Sequence, residues 1–353
     1  MQGWAVVEIG TPLKEISAPT PEPKGTEVLV EVTHCGVCHS DLYFQDGYYD
    51  LGGGKRLSLA DRGVTLPLVL GHETVGRVVK LGPDATGVKV GDHRVVYPWV
   101  GCGTCRRCRS GEEQLCLKPG TVGIFRPGGY GSHVIVPRGE HLVPLDGVDP
   151  AVAATYACSG ITAYSAIKKV MPLAPDEPIV IIGAGGLGLA AIKILKALKH
   201  EAIIVVDLDK TKHATALQAG ATVAVGGKDI DVTAEIIKAA GGPVMGVIDF
   251  VNASATARAG LDALTKGGTL VPVGLYGGDL TLSLPMMPLK GQSIRGSYVG
   301  SLQELRELIE LAKSGALEPL PVERVPQAKA NDAINRVRSG DVKGRLVLEA
   351  PSF

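Results

Sequence analysis

The sequence predicts an α/β protein in two parts: a doubly wound parallel-sheet domain and a β-rich, partly barrel-like domain. Three observations carry that expectation. The chain has 353 residues, more than one hydrophobic core usually serves. Its texture changes near Cys158, from short β-branched runs and turns to continuous apolar runs alternating with helical patterns. Within that second texture, one strand runs directly into a glycine-rich turn and a helix.

In the first part, residues 28–32, 74–79, 94–96 and 133–136 read as strands. They are rich in β-branched side chains and bounded by turn pairs such as Gly82-Pro83 and Gly128-Gly129. From Pro178 onward, residues 179–182, 202–206, 223–225, 247–250 and 269–273 are apolar without alternation, as parallel strands covered on both faces are. Helices are expected between them at 187–198, 210–219 and 255–264. The C-terminal stretch reads as helix 302–314, helix 328–339 and a closing strand 345–348. No repeat or low-complexity tail interrupts this order.

Charge and composition exclude several classes. Lys plus Arg and Asp plus Glu both number 36, and zero net charge offers no pull on nucleic acid or an anionic membrane surface. The apolar runs fall far short of the ~20 residues that span a bilayer. Seven cysteines, an odd number, and no secretory pattern at Met1-Gln2-Gly3-Trp4 argue against a disulfide framework. A reducing cytoplasm is the expected setting.

The glycine-rich turn is Gly183-Ala184-Gly185-Gly186-Leu187-Gly188, a G-x-G-x-x-G between the strand at 179–182 and a helix with Leu189, Ile192, Leu195 and Leu198 on its apolar side. Asp207 lies 19 residues after Gly188, at the end of the next strand. That context makes a Rossmann dinucleotide site. Gly183 permits the tight turn, Gly185 lets the backbone approach a pyrophosphate, and Gly188 lets helix and strand pack closely. Gly186 and Leu187 open the helix, whose free N–H groups suit phosphate. Asp207 accepts ribose hydroxyls and repels a 2′-phosphate, so NAD is expected over NADP. Lys212 nearby weakens that exclusion without reversing it.

Cys102, Cys105, Cys108 and Cys116 form C-x2-C-x2-C-x7-C. Four thiolates in one loop match a tetrahedral structural Zn²⁺. An iron–sulfur cluster also takes four thiolates, but its common ligand runs have other spacings. Three cysteines remain: Cys35, Cys38 and Cys158. Cys38 stands in Cys35-Gly-Val-Cys38-His39-Ser40-Asp41, and His72 in Gly71-His72-Glu73-Thr-Val-Gly76. Spacing alone does not join Cys38, His72 and Cys158, because a lone Cys or His is more often packing than ligand.

These motifs together resemble the zinc-dependent alcohol dehydrogenases of the medium-chain dehydrogenase/reductase superfamily. The resemblance spans Gly71-His72-Glu73-x2-Gly76-x5-Gly82, Gly91-Asp92, the four-cysteine lobe and the dinucleotide fingerprint, in that order. The segment from Gly63 to Glu73 and the run Tyr97-Pro98-Trp99 look like the bacterial and archaeal tetrameric type. The family implies a GroES-like catalytic domain at 1–157 and 297–353, with a zinc lobe at about 98–118, and a Rossmann domain at 158–296. It implies two Zn²⁺ per chain and NAD. Cys38, His72 and Cys158 would hold the catalytic zinc and leave one position open. Asp41 would orient the ligand histidine, with Glu73 behind the metal or an alternate ligand. Cys35 matches no ligand position and reads as a small buried residue.

The implied chemistry is reversible oxidation of an alcohol to an aldehyde or ketone. Zinc acts as a Lewis acid on the hydroxyl, and the carbinol carbon gives hydride to NAD. Ser40 corresponds to the start of a proton relay. Many family members carry His three residues later, where this chain has Tyr43, a poor base at neutral pH with an ordinary pKa near ~10. His39 corresponds to a pyrophosphate contact, Thr162 to a cofactor-binding position, Val273 to a backbone contact with the nicotinamide amide, and Arg345 to a C-terminal arginine reaching the pyrophosphate. Trp99 and Leu275 correspond to pocket walls, a core tryptophan being the alternative for Trp99. Tyr48, Tyr49, Leu51 and the loop 52–63 are expected near the pocket mouth, and Trp99 with leucines and isoleucines would favour medium apolar or aromatic alcohols over ethanol.

Rival readings stay open. A polyol, threonine or formaldehyde dehydrogenase shares the fold, though polyol enzymes usually offer Glu where this chain has Cys158. A zinc-free reductase is disfavoured by the intact ligands, and a non-catalytic NAD-binding protein by the ligands together with Ser40. The family suggests a homotetramer or homodimer, paired through a cofactor-domain edge strand near 296–300.

Overall fold

The computed structural model describes residues 1–227 and 230–351. Six strands form one parallel sheet, in the spatial order Val223–Val225, Ile203–Val206, Ile179–Ile182, Val244–Asp249, Leu264–Pro272 and Ser293–Ile294. Counted along the chain, that order is 3-2-1-4-5-6, the doubly wound arrangement. Helices between the strands cover both faces, so Ile179, Val180 and Ile181 are fully buried. The strand order reverses between Ile179–Ile182 and Val244–Asp249, which opens a crevice at their carboxyl ends.

The helix Gly186–Ala197 turns Leu189, Ile192 and Leu195 into the core. Leu198, expected on the same stripe, is instead 40% exposed. The helix ends at Ala197, and Leu198 caps it outside the packed turn.

A second sheet has seven strands. Its path runs Leu142–Pro144, His93–Val96, Glu73–Leu81, Val28–Gly36, Arg345–Glu349 and Val322–Pro326, with His133–Val136 also pairing on Val28–Gly36. The C-terminal strand Arg345–Glu349 lies antiparallel to Val28–Gly36, so the end of the chain returns to the β-rich part. Val28–Gly36 outruns its expected end at 32 because Cys35 and Gly36 continue the ladder opposite Thr74 and Glu73. Gly36 has to lack a side chain there: a Cβ would sit 1.9 Å from Glu73 Oε2.

Helices His39–Asp46, Pro150–Thr155, Ile161–Val170 and Val232–Ala240 were not anticipated from periodicity. Two of them announce themselves by caps instead: Asp149 accepts from Ala151 and Val152, and Asp231 from Ala234. The edge strand of the parallel sheet is Ser293–Ile294, and residues 296–300, the expected edge, follow it as irregular chain. Among the described residues, no helix is long and apolar enough to cross a membrane.

Candidate active site and cofactor cleft

Cys38, His72 and Cys158 converge although 120 residues separate the first from the last. One ligand atom from each lies within 4.8 Å of the others, and all three residues are buried. Each is delivered by a local interruption of regular structure. Cys38 caps the helix His39–Asp46. His72 precedes the strand Glu73–Leu81, next to Gly71 at φ 98°. Cys158 sits in a π-helical turn, Tyr156–Gly160, a widening of helix often found at functional sites.

Asp41 orients this trio. Its Oδ2 accepts from the Cys38 backbone N–H at 2.9 Å and from the Tyr130 hydroxyl at 3.0 Å, while its Oδ1 faces His72 Nδ1 at 3.4 Å. That arrangement turns His72 Nε2 toward the thiols, where it has no hydrogen-bond partner despite being buried. Glu73 stands behind the trio. One of its oxygens accepts from Arg345 at 2.6 Å and the other from the Ser159 N–H at 3.2 Å. Arg345 also donates to the Val37 carbonyl at 3.1 Å.

The electrostatics call for a cation. The hydrogen bond from Cys158 holds the Cys38 thiol well below its ordinary pKa against the effect of burial, with help from His72 and Arg345. Cys38 and burial together hold Cys158 well above its own. Two thiolates therefore cannot share this dry site unless positive charge stands between them. Two thiols, a buried imidazole whose two nitrogens lack hydrogen-bond partners and a carboxylate facing it fit zinc.

The four-cysteine lobe fits a second such ion. Cys105 and Cys108 Sγ are 3.5 Å apart, Cys105 and Cys116 3.8 Å, and Cys102 and Cys108 3.9 Å. A tetrahedron with Zn–S bonds of about 2.3 Å has edges of about 3.8 Å. Amide groups already point at the sulfurs: Cys116 Sγ accepts from the Cys102 and Lys118 N–H groups, each at 3.3 Å. Hydrogen bonds from Thr104 and the Cys105 amide hold Cys102 down to about 5, while burial and its neighbours push Cys108 up to about 12.

The cofactor cleft is a cavity of about 520 Å³ that brings Cys38, His39, Gly185, Gly186, Lys212 and Arg345 together. Gly183 takes φ 100°, and a Cβ on Gly188 would lie 1.8 Å from the Gly183 carbonyl oxygen, so both glycines are required. Space beside Gly185 is open, as an approaching pyrophosphate needs. Asp207 Oδ2 accepts from the Ala184 N–H at 2.8 Å and lies 3.9 Å from Lys212 Nζ. Thr162 offers a buried hydroxyl with no partner. The Val273 N–H is already engaged by the Asp249 carbonyl.

Comparison with known proteins decides the family. Residues 24–147 match the alcohol dehydrogenase GroES-like domain, and residues 186–314 the zinc-binding dehydrogenase domain. The chain is 37% identical to the NAD-dependent alcohol dehydrogenase of Sulfurisphaera tokodaii over 350 residues, 99% of each protein. The chain belongs to the zinc-dependent alcohol dehydrogenases of the medium-chain superfamily. Its fold follows that of the Aeropyrum pernix alcohol dehydrogenase, with TM-score 0.88 and 30% identity over 99% of this chain and 100% of that one. It also follows the D-arabinose dehydrogenase of Sulfolobus solfataricus, with TM-score 0.82 and 29% identity over 99% of this chain and 98% of that one.

The remaining positions expected of this zinc alcohol dehydrogenase fall as follows. Ser40 is half-buried in the first turn after Cys38. The Tyr43 hydroxyl donates to the Leu275 carbonyl at 2.9 Å, and burial raises its pKa further above 10.0. Tyr43 is thus a protonated donor at neutral pH and joins the two parts of the chain. Leu275 lines a second cavity of about 580 Å³ beside that contact. Trp99 does not line it. Its indole is buried, donates to the Ala157 carbonyl at 2.9 Å, and packs edge-on against His72. Tyr298, which sequence reasoning missed, stands between Trp99 and that cavity. The one signal available was an exposed-type aromatic in a glycine-bounded segment, Gly296-Ser297-Tyr298-Val299-Gly300.

Proposed function

We propose that the protein catalyses reversible oxidation of small alcohols to aldehydes or ketones with NAD. The observation that carries this reading is the convergence of Cys38, His72 and Cys158 beside the cleft that holds the dinucleotide fingerprint. Zinc held by the trio would supply a Lewis acid, and NAD a hydride acceptor. The chain's own residues do the rest. Asp41 and Tyr130 hold the ligand geometry. Ser40 hydrogen-bonds the substrate hydroxyl and starts the relay, accepting its proton as it passes its own onward. His39 and the helix N-terminus at Gly186 and Leu187 hold the pyrophosphate. Asp207 holds the ribose, with Lys212 beside it, and Thr162 and the Val273 backbone hold the nicotinamide end. Arg345 contributes its stem, which packs against Gly186, while its guanidinium serves Glu73.

The finer features of the reading are two zinc ions per chain, a homotetramer or homodimer, and a cytoplasmic setting. Its domain limits are 1–157 with 297–353, and 158–296. The apolar surroundings of Leu275 and Tyr298 favour medium apolar or aromatic alcohols. A polyol substrate is the second reading, suggested by the likeness to a D-arabinose dehydrogenase. NADH formation with a panel of primary, secondary, benzylic and polyol alcohols separates the two. Faster turnover of simple alcohols is expected, and higher turnover of a polyol would select the second reading.

A further inference from the structure

We propose that Arg62 binds an anionic group of the substrate, so that the preferred alcohol carries a carboxylate set apart from its hydroxyl by an apolar chain. This rests on the alcohol dehydrogenase reading and names the substrate class within it.

Arg62 lines the cavity of about 580 Å³ together with Tyr49, Leu275 and Tyr298. Its guanidinium carbon lies 5.1 Å from the centre of the Tyr49 ring and 5.9 Å from that of Phe125. Among the described residues, no carboxylate pairs with this guanidinium, whose polar neighbours are the Tyr49 and Tyr298 hydroxyls. Other arginines of the chain are satisfied: Arg138 faces Glu113, Arg336 Glu323, Arg338 Asp46 and Arg345 Glu73. A half-buried guanidinium framed by aromatic rings and left without a carboxylate is a prepared site for one. Its planar fork of donors matches a carboxylate in two parallel hydrogen bonds.

The site connects to the metal ligands through aromatic rings. His72 packs on Trp99 at 5.4 Å between centroids, and Trp99 on Tyr298 at 5.9 Å. Tyr298 precedes Val299, which takes the left-handed φ of 41°, rare for a β-branched residue. An alcohol whose hydroxyl reaches the trio would run its carbon chain past Tyr298 and Leu275 toward Arg62. The same cavity has two carboxylates, Asp50 and Asp279. Both are exposed, and they lie where the loop at Gly52 closes on Gly278, with Asp50 Oδ1 accepting from the Gly52 N–H at 2.8 Å. They oppose an anion and would favour a cation, so the test includes amino alcohols.

The experiment uses the zinc-loaded enzyme with NAD. It compares kcat/KM for length-matched n-alkanols, ω-hydroxycarboxylates, their methyl esters and ω-amino alcohols, in the wild type and in Arg62→Gln and Arg62→Lys. At the best chain length, the hydroxycarboxylate should exceed both the alkanol and the ester by about 10- to 100-fold. Arg62→Gln should erase that preference through KM while leaving alkanol turnover unchanged, and Arg62→Lys should keep part of it. Equal kcat/KM for acid and alkanol in the wild type would overturn the proposal. So would a preference for the amino alcohol, or an Arg62→Gln variant that weakens all substrates alike. Absence of turnover with every alcohol would overturn the dehydrogenase reading itself, and this inference with it.

Discussion

Arg345 donates to Glu73 Oε2 at 2.6 Å, with both side chains buried. The pair ties the C-terminal strand to the residue that follows ligand His72, and Glu73 in turn holds the turn of Cys158 through the Ser159 N–H. Burial pushes the Glu73 carboxyl up to about 7, and Arg345 works against that shift. Removing one member would strand the other in a dry site. Arg345→Met should therefore lower unfolding stability by about 3–5 kcal/mol. The double variant Glu73→Gln, Arg345→Met should recover part of the loss. Urea unfolding of the three proteins checks both statements; equal stability of Arg345→Met and wild type would show that the pair is not what holds this corner.

Asp207, the proposed ribose contact, would govern the choice of dinucleotide. Replacing it by Ser removes a charged acceptor for the ribose hydroxyls and the negative charge that repels a 2′-phosphate, while Lys212 stays nearby. Asp207→Ser should lower kcat/KM for NAD by about 10- to 100-fold. The ratio of NAD to NADP efficiency should fall with it. Steady-state kinetics with both dinucleotides measures the shift.

The four-cysteine lobe lies apart from the Cys38, His72 and Cys158 trio in the sequence and shares none of its ligands. Cys108→Ser should halve the zinc content per chain and lower the unfolding temperature, with NAD affinity retained. Metal analysis beside a thermal melt reads both. Full zinc content in Cys108→Ser would remove the metal from this lobe.

Asp149 caps the helix Pro150–Thr155 and pairs with Arg324 at 2.6 Å. Burial raises its pKa, but the Val152 and Ala151 amides and Arg324 outweigh burial and hold it below 3.8. A carboxyl held lower in the folded state stabilises fully above its unfolded pKa, and the effect fades as pH falls through the folded value. Its contribution should thus disappear progressively below pH 3.8. Asp149→Asn keeps the cap and should flatten this acid loss. Asp149→Ala should cost about 1 kcal/mol at neutral pH. Urea midpoints measured across that pH range test the sign.

Much of this was legible because local chemistry dictated it. Gly183 and Gly188 are forced by a left-handed turn and a backbone contact, so their spacing can be read from local geometry. The four lobe cysteines fall within one short stretch of chain, so their spacing alone already brings them together. The trio was different. Cys38, His72 and Cys158 meet only after two sheets form, and no periodicity encodes that meeting; resemblance supplied it. The Arg345–Glu73 pair was missed for the same reason; Arg345 was expected at the pyrophosphate, and it also lines the cofactor cleft. The indole of Trp99 was expected at the pocket wall. It is buried against Tyr298, a contact between distant parts of the chain that sequence pattern does not reveal. Leu198 failed at a helix end, where one residue decides between stripe and cap.

The most direct test of the central claim is the initial rate of NADH formation from a primary alcohol, in wild type and in Cys38→Ser, with NAD affinity measured on both. The account predicts turnover in the wild type, at least a thousandfold loss on the order of removing a catalytic metal site in Cys38→Ser, and unchanged NAD binding. Undiminished turnover in Cys38→Ser would contradict the assignment of Cys38, His72 and Cys158 as the centre where the alcohol reacts.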